Sequence, residues 1–220
     1  MEVAAIILAR AMAWIEPVDL NAKGAVFYPD LTKALVARYN FQKFPQNLED
    51  FDQSKGVTFA AGKLGNTVIE QLVIYTYGIV VDTTVSTEES KRLVEEALQW
   101  AAKDLGLSYE PSMLNRWQYM SNLTFYSKIP LTAVSPAFQK LADGVTKGLG
   151  EVMQERLQYE LTSFNIDHDL LKRKHPLGAF TIQRRDNTPF SENKYFSGAP
   201  LPTDIHIKLL EQFEADRSNK

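Results

Sequence analysis

Residues 66–100, NTVIEQLVIYTYGIVVDTTVSTEESKRLVEEALQW, decide the fold class. The first part is rich in Val, Ile, Thr and Tyr, side chains that suit a pleated, half-buried surface. Gly78 divides it into two runs, which predicts a hairpin or a sharply bent strand. From Ser86 onward the period changes. Leu93, Val94, Ala97 and Leu98, continued by Ala101 and Leu105, recur at helical spacing and make one apolar stripe. Ser86 is placed to cap that helix, with Glu89 three positions on to return the bond as a capping box. Gly106 supplies a left-handed stop.

Upstream, MEVAAIILARAMAWIEP reads as strand or helix: Ile6, Leu8, Met12 and Trp14 share a period-two face, while the alanines suit a helix equally. Pro17 ends the element either way. Glu2 stands where a signal peptide needs a basic start, and Arg10 interrupts the apolar run, so a buried element is expected rather than a targeting or membrane segment. Residues 28–41, YPDLTKALVARYNF, predict a short helix from about Pro29 with Leu31, Leu35 and Arg38 on one side. An acidic loop, FPQNLEDFDQSKG, precedes a strand, VTFAAGKL.

Downstream, WQYMSNLTFYSKIP alternates Trp117, Tyr119, Leu123 and Phe125 onto one strand face. Ser135 then caps, and Pro136 opens, a helix whose expected buried side carries Phe138, Leu141, Ala142, Val145, Leu149 and Val152. Gly144, Gly148 and Gly150 each weaken it by roughly 1 kcal/mol relative to alanine, and would admit another backbone closely. Two strands follow, RLQYELTSFNI and GAFTIQRR. After the turn SGAPLPTD comes a last helix with Ile205, Leu209 and Phe213 as its expected apolar stripe. This order predicts a single α+β domain, a mainly antiparallel mixed sheet packed by about four helices. Residues 1–187 are expected to form its core, and residues 188–220 an aromatic, proline-rich arm and helix packed on the core or on a partner.

The composition is globular, with 45% hydrophobic and 23% charged residues in a chain of 220. A net charge of −3 argues against a dedicated nucleic-acid binder. The lack of cysteine excludes disulfides, thiolate metal sites and cysteine nucleophiles, and fits a reducing cytoplasm.

The most chemically crowded stretch is FNIDHDLLKRKHPLG, residues 164–178. Asp167, His168, Asp169 and His175 bring carboxylate and imidazole groups that could hold a divalent metal or move a proton. Adjacent strand residues point to opposite faces, however, so Asp167 and His168 share an ion only if the backbone turns. Lys172, Arg173, Lys174, Arg184 and Arg185 form the notable basic concentration, a candidate anion or nucleic-acid patch if residues 157–166 and 177–185 pair. Asp167, Asp169 and Asp186 offset much of that charge. Phe190, Tyr195 and Phe196 are candidate interface residues on the arm, and His206 is expected on a helix surface. No glycine-flanked serine elbow and no phosphate loop is present. No cofactor is implied and no metal ligand set is assigned.

The resulting expectation is a non-enzymatic cytoplasmic protein acting through contacts with itself or another protein subunit, away from membranes. The alternatives are a metal-dependent hydrolase or phosphodiesterase built on the Asp167–His168–Asp169 loop, and an anion- or nucleic-acid-binding module.

Overall fold

The computed structural model describes residues 1–24, 26–154, 157–172 and 177–218. The protein has the α+β class expected. Eight strands run in the order β2-β3-β4-β1-β5-β8-β7-β6. They are β1 (Glu2–Trp14), β2 (Val57–Leu64), β3 (Thr67–Tyr75), β4 (Gly78–Thr83), β5 (Trp117–Tyr126), β6 (Ser163–Ile166), β7 (Phe180–Arg184) and β8 (Lys194–Ala199). The helices are α1 (Pro17–Leu20), α2 (Tyr28–Tyr39), α3 (Thr87–Leu105), α4 (Pro136–Met153) and α5 (Thr203–Ser218). Contacts divide the chain into two compact units: Met1–Ala5, Asn122–Ala199 and Asp204–Lys220 form the first, Ile6–Ser121 and Pro200–Thr203 the second. The sequence boundary between 187 and 188 falls inside the first unit.

In the second unit, β2, β3 and β4 form an antiparallel meander, and β4 pairs antiparallel with β1. The run around Gly78 is the predicted hairpin: Tyr75 pairs with Gly78 across a two-residue turn. Glycine is required there because a Cβ would lie 2.7 Å from the Met12 methyl and 2.8 Å from the Ala13 carbonyl oxygen. The first element is a strand. Its fully buried face is Ala9, Ala11 and Ala13 rather than the larger even-numbered side chains. Small side chains let α3 lie against β1, where the Ser90 hydroxyl donates to the Ala9 carbonyl at 2.7 Å. On the other face, Arg10 grips the buried Asp82 carboxylate with two bonds of 2.7 Å. That bond to Asp82 raises the guanidinium's pKa, against the pull of burial.

The α3 stripe is buried as expected, and Leu93, Val94 and Leu98 join Leu35 and Tyr39 of α2 and Phe59 of β2 in one core. The capping box forms only by half. Ser86 accepts the Glu89 backbone N–H at 3.1 Å, but the Glu89 carboxylate turns outward to Arg92 and to the Thr67 hydroxyl. Two guanidinium bonds outbid one backbone amide because both partners are charged. They hold the Glu89 pKa down at about 2.

In the first unit β6, β7 and β8 pair antiparallel, so the two strands around the Asp/His stretch are neighbours as predicted. Leu123, Phe125, Leu131, Ile182, Tyr195 and Leu210 make the core. Two helix expectations need correction. In α5 the buried line includes His206, Leu210, Glu214 and Arg217, while Ile205 and Leu209 are exposed. Polar groups occupy the inner face because each finds a partner there. Glu214 accepts from the Ser127 hydroxyl and the Lys128 amide at 2.8 Å each, and from the Met1 amino group. Arg217 donates to the Pro130 carbonyl and to Ser127 at 3.0 Å each. Burial lowers the Arg217 pKa, and burial works against the bonds that keep Glu214 low. The second correction concerns α4, whose apolar side is mostly open.

Candidate interaction surface

The sequence-nominated residues do not converge. Asp167 and His168 do meet, with His168 Nδ1 and its backbone N–H 3.0 and 2.8 Å from the Asp167 Oδ1, yet both side chains are exposed. Asp169 accepts from the Leu171 backbone at 3.0 Å and sits 3.6 Å from Lys172, an arrangement local to one turn. Among the described residues, no three His, Asp or Glu side chains gather in a way that could hold a metal ion. His175, Arg173 and Lys174 lie outside the described residues.

The basic group divides by burial. Arg185 and Lys172 are exposed, whereas Arg184 is buried. Its guanidinium donates to Glu160 at 2.9 Å, to the Tyr195 hydroxyl at 3.3 Å and to the Phe190 carbonyl at 3.2 Å. It also stacks over the Phe190 ring at 4.4 Å. Arg184 therefore organises the ends of β7 and β8 and offers no free fork to an external anion.

Two of the three aromatic interface candidates are engaged in the same place. Tyr195 is in the core, where its hydroxyl accepts the Leu131 N–H at 2.9 Å and burial raises its pKa. Phe190 lies under Arg184, and Phe196 is half-buried on β8. The stretch read as an arm is a sheet strand, so its aromatics serve the first unit's own fold.

His206 is fully buried rather than on a helix surface. Its Nε2 lies 2.8 Å from the Ser197 hydroxyl, which donates in turn to the Thr181 carbonyl at 2.7 Å. With its proton committed to Thr181, Ser197 accepts from the ring N–H. This pair pins α5 to β8 and is closed to substrate.

What the first unit does present is the open side of α4. The helix begins well: Ser135 accepts the Ala137 amide at 3.2 Å, and Pro136 occupies the first turn. Only Ala142 is buried among its described residues, while Phe138, Leu141, Val145 and Val152 stand exposed by 44, 64, 37 and 80%. At 100° per residue these four fall on one side, and Gly148 joins them. A Cβ built on Gly148 meets no atom within 4 Å, so the helix is clear down to the backbone there. The chain beyond turns back along the helix, with the Tyr159 amide donating to Thr146 at 3.0 Å. Tyr159 itself is 43% exposed. Sequence periodicity identified the stripe correctly, but nothing in it signalled that the stripe stays uncovered.

Charges along α4 have an inverted order: Lys140, Asp143, Lys147, Glu151. Read from the helix midpoint near Val145, each cation on one half answers an anion on the other. Lys140 and Glu151 lie on the same flank of the open stripe.

No protein-family model matches this chain, and no curated protein matches it either. None of the helices among the described residues is long and apolar enough to cross a membrane.

Proposed function

We propose that the protein is a non-enzymatic assembly subunit that pairs with a second copy of itself through the open face of α4. The observation carrying this reading is an exposed apolar side with a bare glycine, Gly148, at its edge, on a helix whose charges are inverted about its centre. An exposed contiguous apolar patch of this kind marks a contact surface. A two-fold interface needs a surface complementary to itself, in which residue i meets j and j meets i. An antiparallel pair centred on Val145 meets that need. Phe138 then faces Val152 of the second copy, and Leu141 faces Leu149. Lys140 lies beside Glu151 on the flank. A parallel pair would set each charge against its own kind.

Gly148 suits close backbone approach beside the crossing. A membrane surface is a poorer fit, because interfacial helices carry an excess of Lys and Arg on the polar side, and here two lysines are balanced by Asp143 and Glu151. A stable pair buries roughly 1,200–2,000 Å² in total. The cytoplasm suits a chain with no cysteine.

Sedimentation equilibrium with a charge-exchange series tests this. The parent chain should be a dimer at micromolar concentration. Lys140→Glu and Glu151→Lys should each weaken it several-fold, and the double exchange should recover most of the loss. A monomer throughout, or a dimer indifferent to all three variants, would rule the reading out.

A further inference from the structure

The second unit contains a cavity of about 300 Å³ between α2, α3 and the sheet. Its floor is Leu72, Ile74 and Ile79, and Leu31 and Leu35 of α2 form one wall. The opposite wall is α3, which presents Ala97 and Ala101 at this point. Two alanines one turn apart explain why the space exists: the stripe that elsewhere carries Leu and Val is cut back to methyl groups here. The closing edge, Pro17, Val18, Leu20, Asn21 and Val26, is braced by Asn21, whose amide donates to the Val26 carbonyl at 2.7 Å and accepts its N–H at 3.1 Å.

The space is a cleft partly open to solvent, lined mainly by apolar side chains. This space equals roughly ten waters' share of liquid volume, and an apolar lining gives water few partners. It lies at the lower end of the size of small-molecule sites, which are apolar with a few placed polar groups. Here the polar groups are Tyr28 and Gln53, both half-buried. Among the described residues neither the Tyr28 hydroxyl nor the Gln53 amide has a hydrogen-bond partner. Burial raises the Tyr28 pKa, so its hydroxyl keeps its proton. The lining carries no Asp, Glu, Lys, Arg or His.

From these features we infer that the cavity binds a single aliphatic or acyl chain of on the order of ten heavy atoms, ending in an uncharged polar group such as an alcohol, ester or amide. Apolar walls take the chain, and Tyr28 and Gln53 receive the end. A carboxylate end is disfavoured, since the lining offers it no cation. The inference stands apart from the pairing of α4, because every lining residue belongs to the second unit.

The test is a fluorescence titration of the full chain with the uncharged probe N-phenyl-1-naphthylamine, followed by displacement with 1-decanol and with decanoate at neutral pH. Saturable binding is expected, displaced by decanol at least tenfold more effectively than by decanoate. Filling the cavity with Ala97→Leu and Ala101→Leu together should abolish binding while leaving the melting temperature equal or higher. Should the double variant melt early, Ala101→Val alone should still weaken probe binding. Gln53→Leu should retain the probe but lose affinity for decanol several-fold. Probe uptake that never saturates, equal displacement by decanoate, or unchanged binding in the filled variants would overturn the assignment.

Discussion

Arg184 and Glu160 meet at 2.9 Å with side chains only 6 and 14% exposed, at the point where β7 ends and β8 begins. Removing one partner leaves the other charge buried, a loss of about 3–5 kcal/mol. Arg184→Ala should therefore destabilise the chain by that order in urea unfolding. Arg185→Ala, one residue on and exposed, should stay within about 0.5 kcal/mol of the parent. Equal small effects at both positions would mean that Arg184 is not an organising residue.

The Ser197–His206 pair is a second interior anchor. Ser197→Ala leaves the buried imidazole without its hydroxyl partner at 2.8 Å, a penalty of about 1–3 kcal/mol. The exposed Ser191→Ala is the control and should be nearly silent. Chemical denaturation followed by tryptophan fluorescence separates them.

Glu89 makes stability depend on acid. Its pKa falls from an ordinary 4.5 to about 2, chiefly through its bonds with Arg92. A depressed carboxylate contributes stability that is complete above the unfolded value and is lost as pH falls from about 4.5 through about 2. Arg92 is half exposed, so the contribution is discounted to that of a surface pair, at most about 1 kcal/mol. Glu89→Gln should lower stability at pH 7 by up to that amount and flatten the decline between pH 4.5 and 2. A parallel decline in parent and variant would show that Glu89 binds no extra proton on unfolding.

How far the sequence could be read depends on what each element packs against. The hairpin at Gly78 and the α3 stripe were legible because their side chains pack on the nearest elements in the chain. The inner face of α5 was hidden. His206, Glu214 and Arg217 are satisfied by Ser197, Ser127 and Pro130, and for the last two the partners are separated by more than eighty positions in the chain. Hydrophobic periodicity assigns such residues to solvent, and so selected Ile205 and Leu209 instead.

The same limit explains why β8 was read as an arm. Strand β8, KYFSGA, interrupts its apolar alternation with Ser197 and Gly198, so it resembled an irregular arm. Ser197 is nonetheless buried, because its hydroxyl is spent on the Thr181 carbonyl. For α4 the amphipathic pattern was clear, but a pattern says which side is apolar and not what covers it. Arg184 could not be distinguished from Arg185 by sequence, since adjacent strand residues differ only in the face they take.

The antiparallel pairing of α4 is tested most directly by cysteine cross-linking, which the absence of native cysteine makes unambiguous. With the crossing centred on Val145, each Val145 faces its own copy. Phe138 faces Val152, and so lies about 21 Å from the second Phe138 at 1.5 Å per residue. A disulfide forms only where the Cα atoms come within about 7 Å. Under mild oxidation, Val145→Cys should give a covalent dimer on a non-reducing gel. Phe138→Cys and Val152→Cys should each remain single chains alone, and should cross-link when mixed. Self-linking of all three variants would show a parallel pair, and the absence of any linked product would show that α4 does not join two copies.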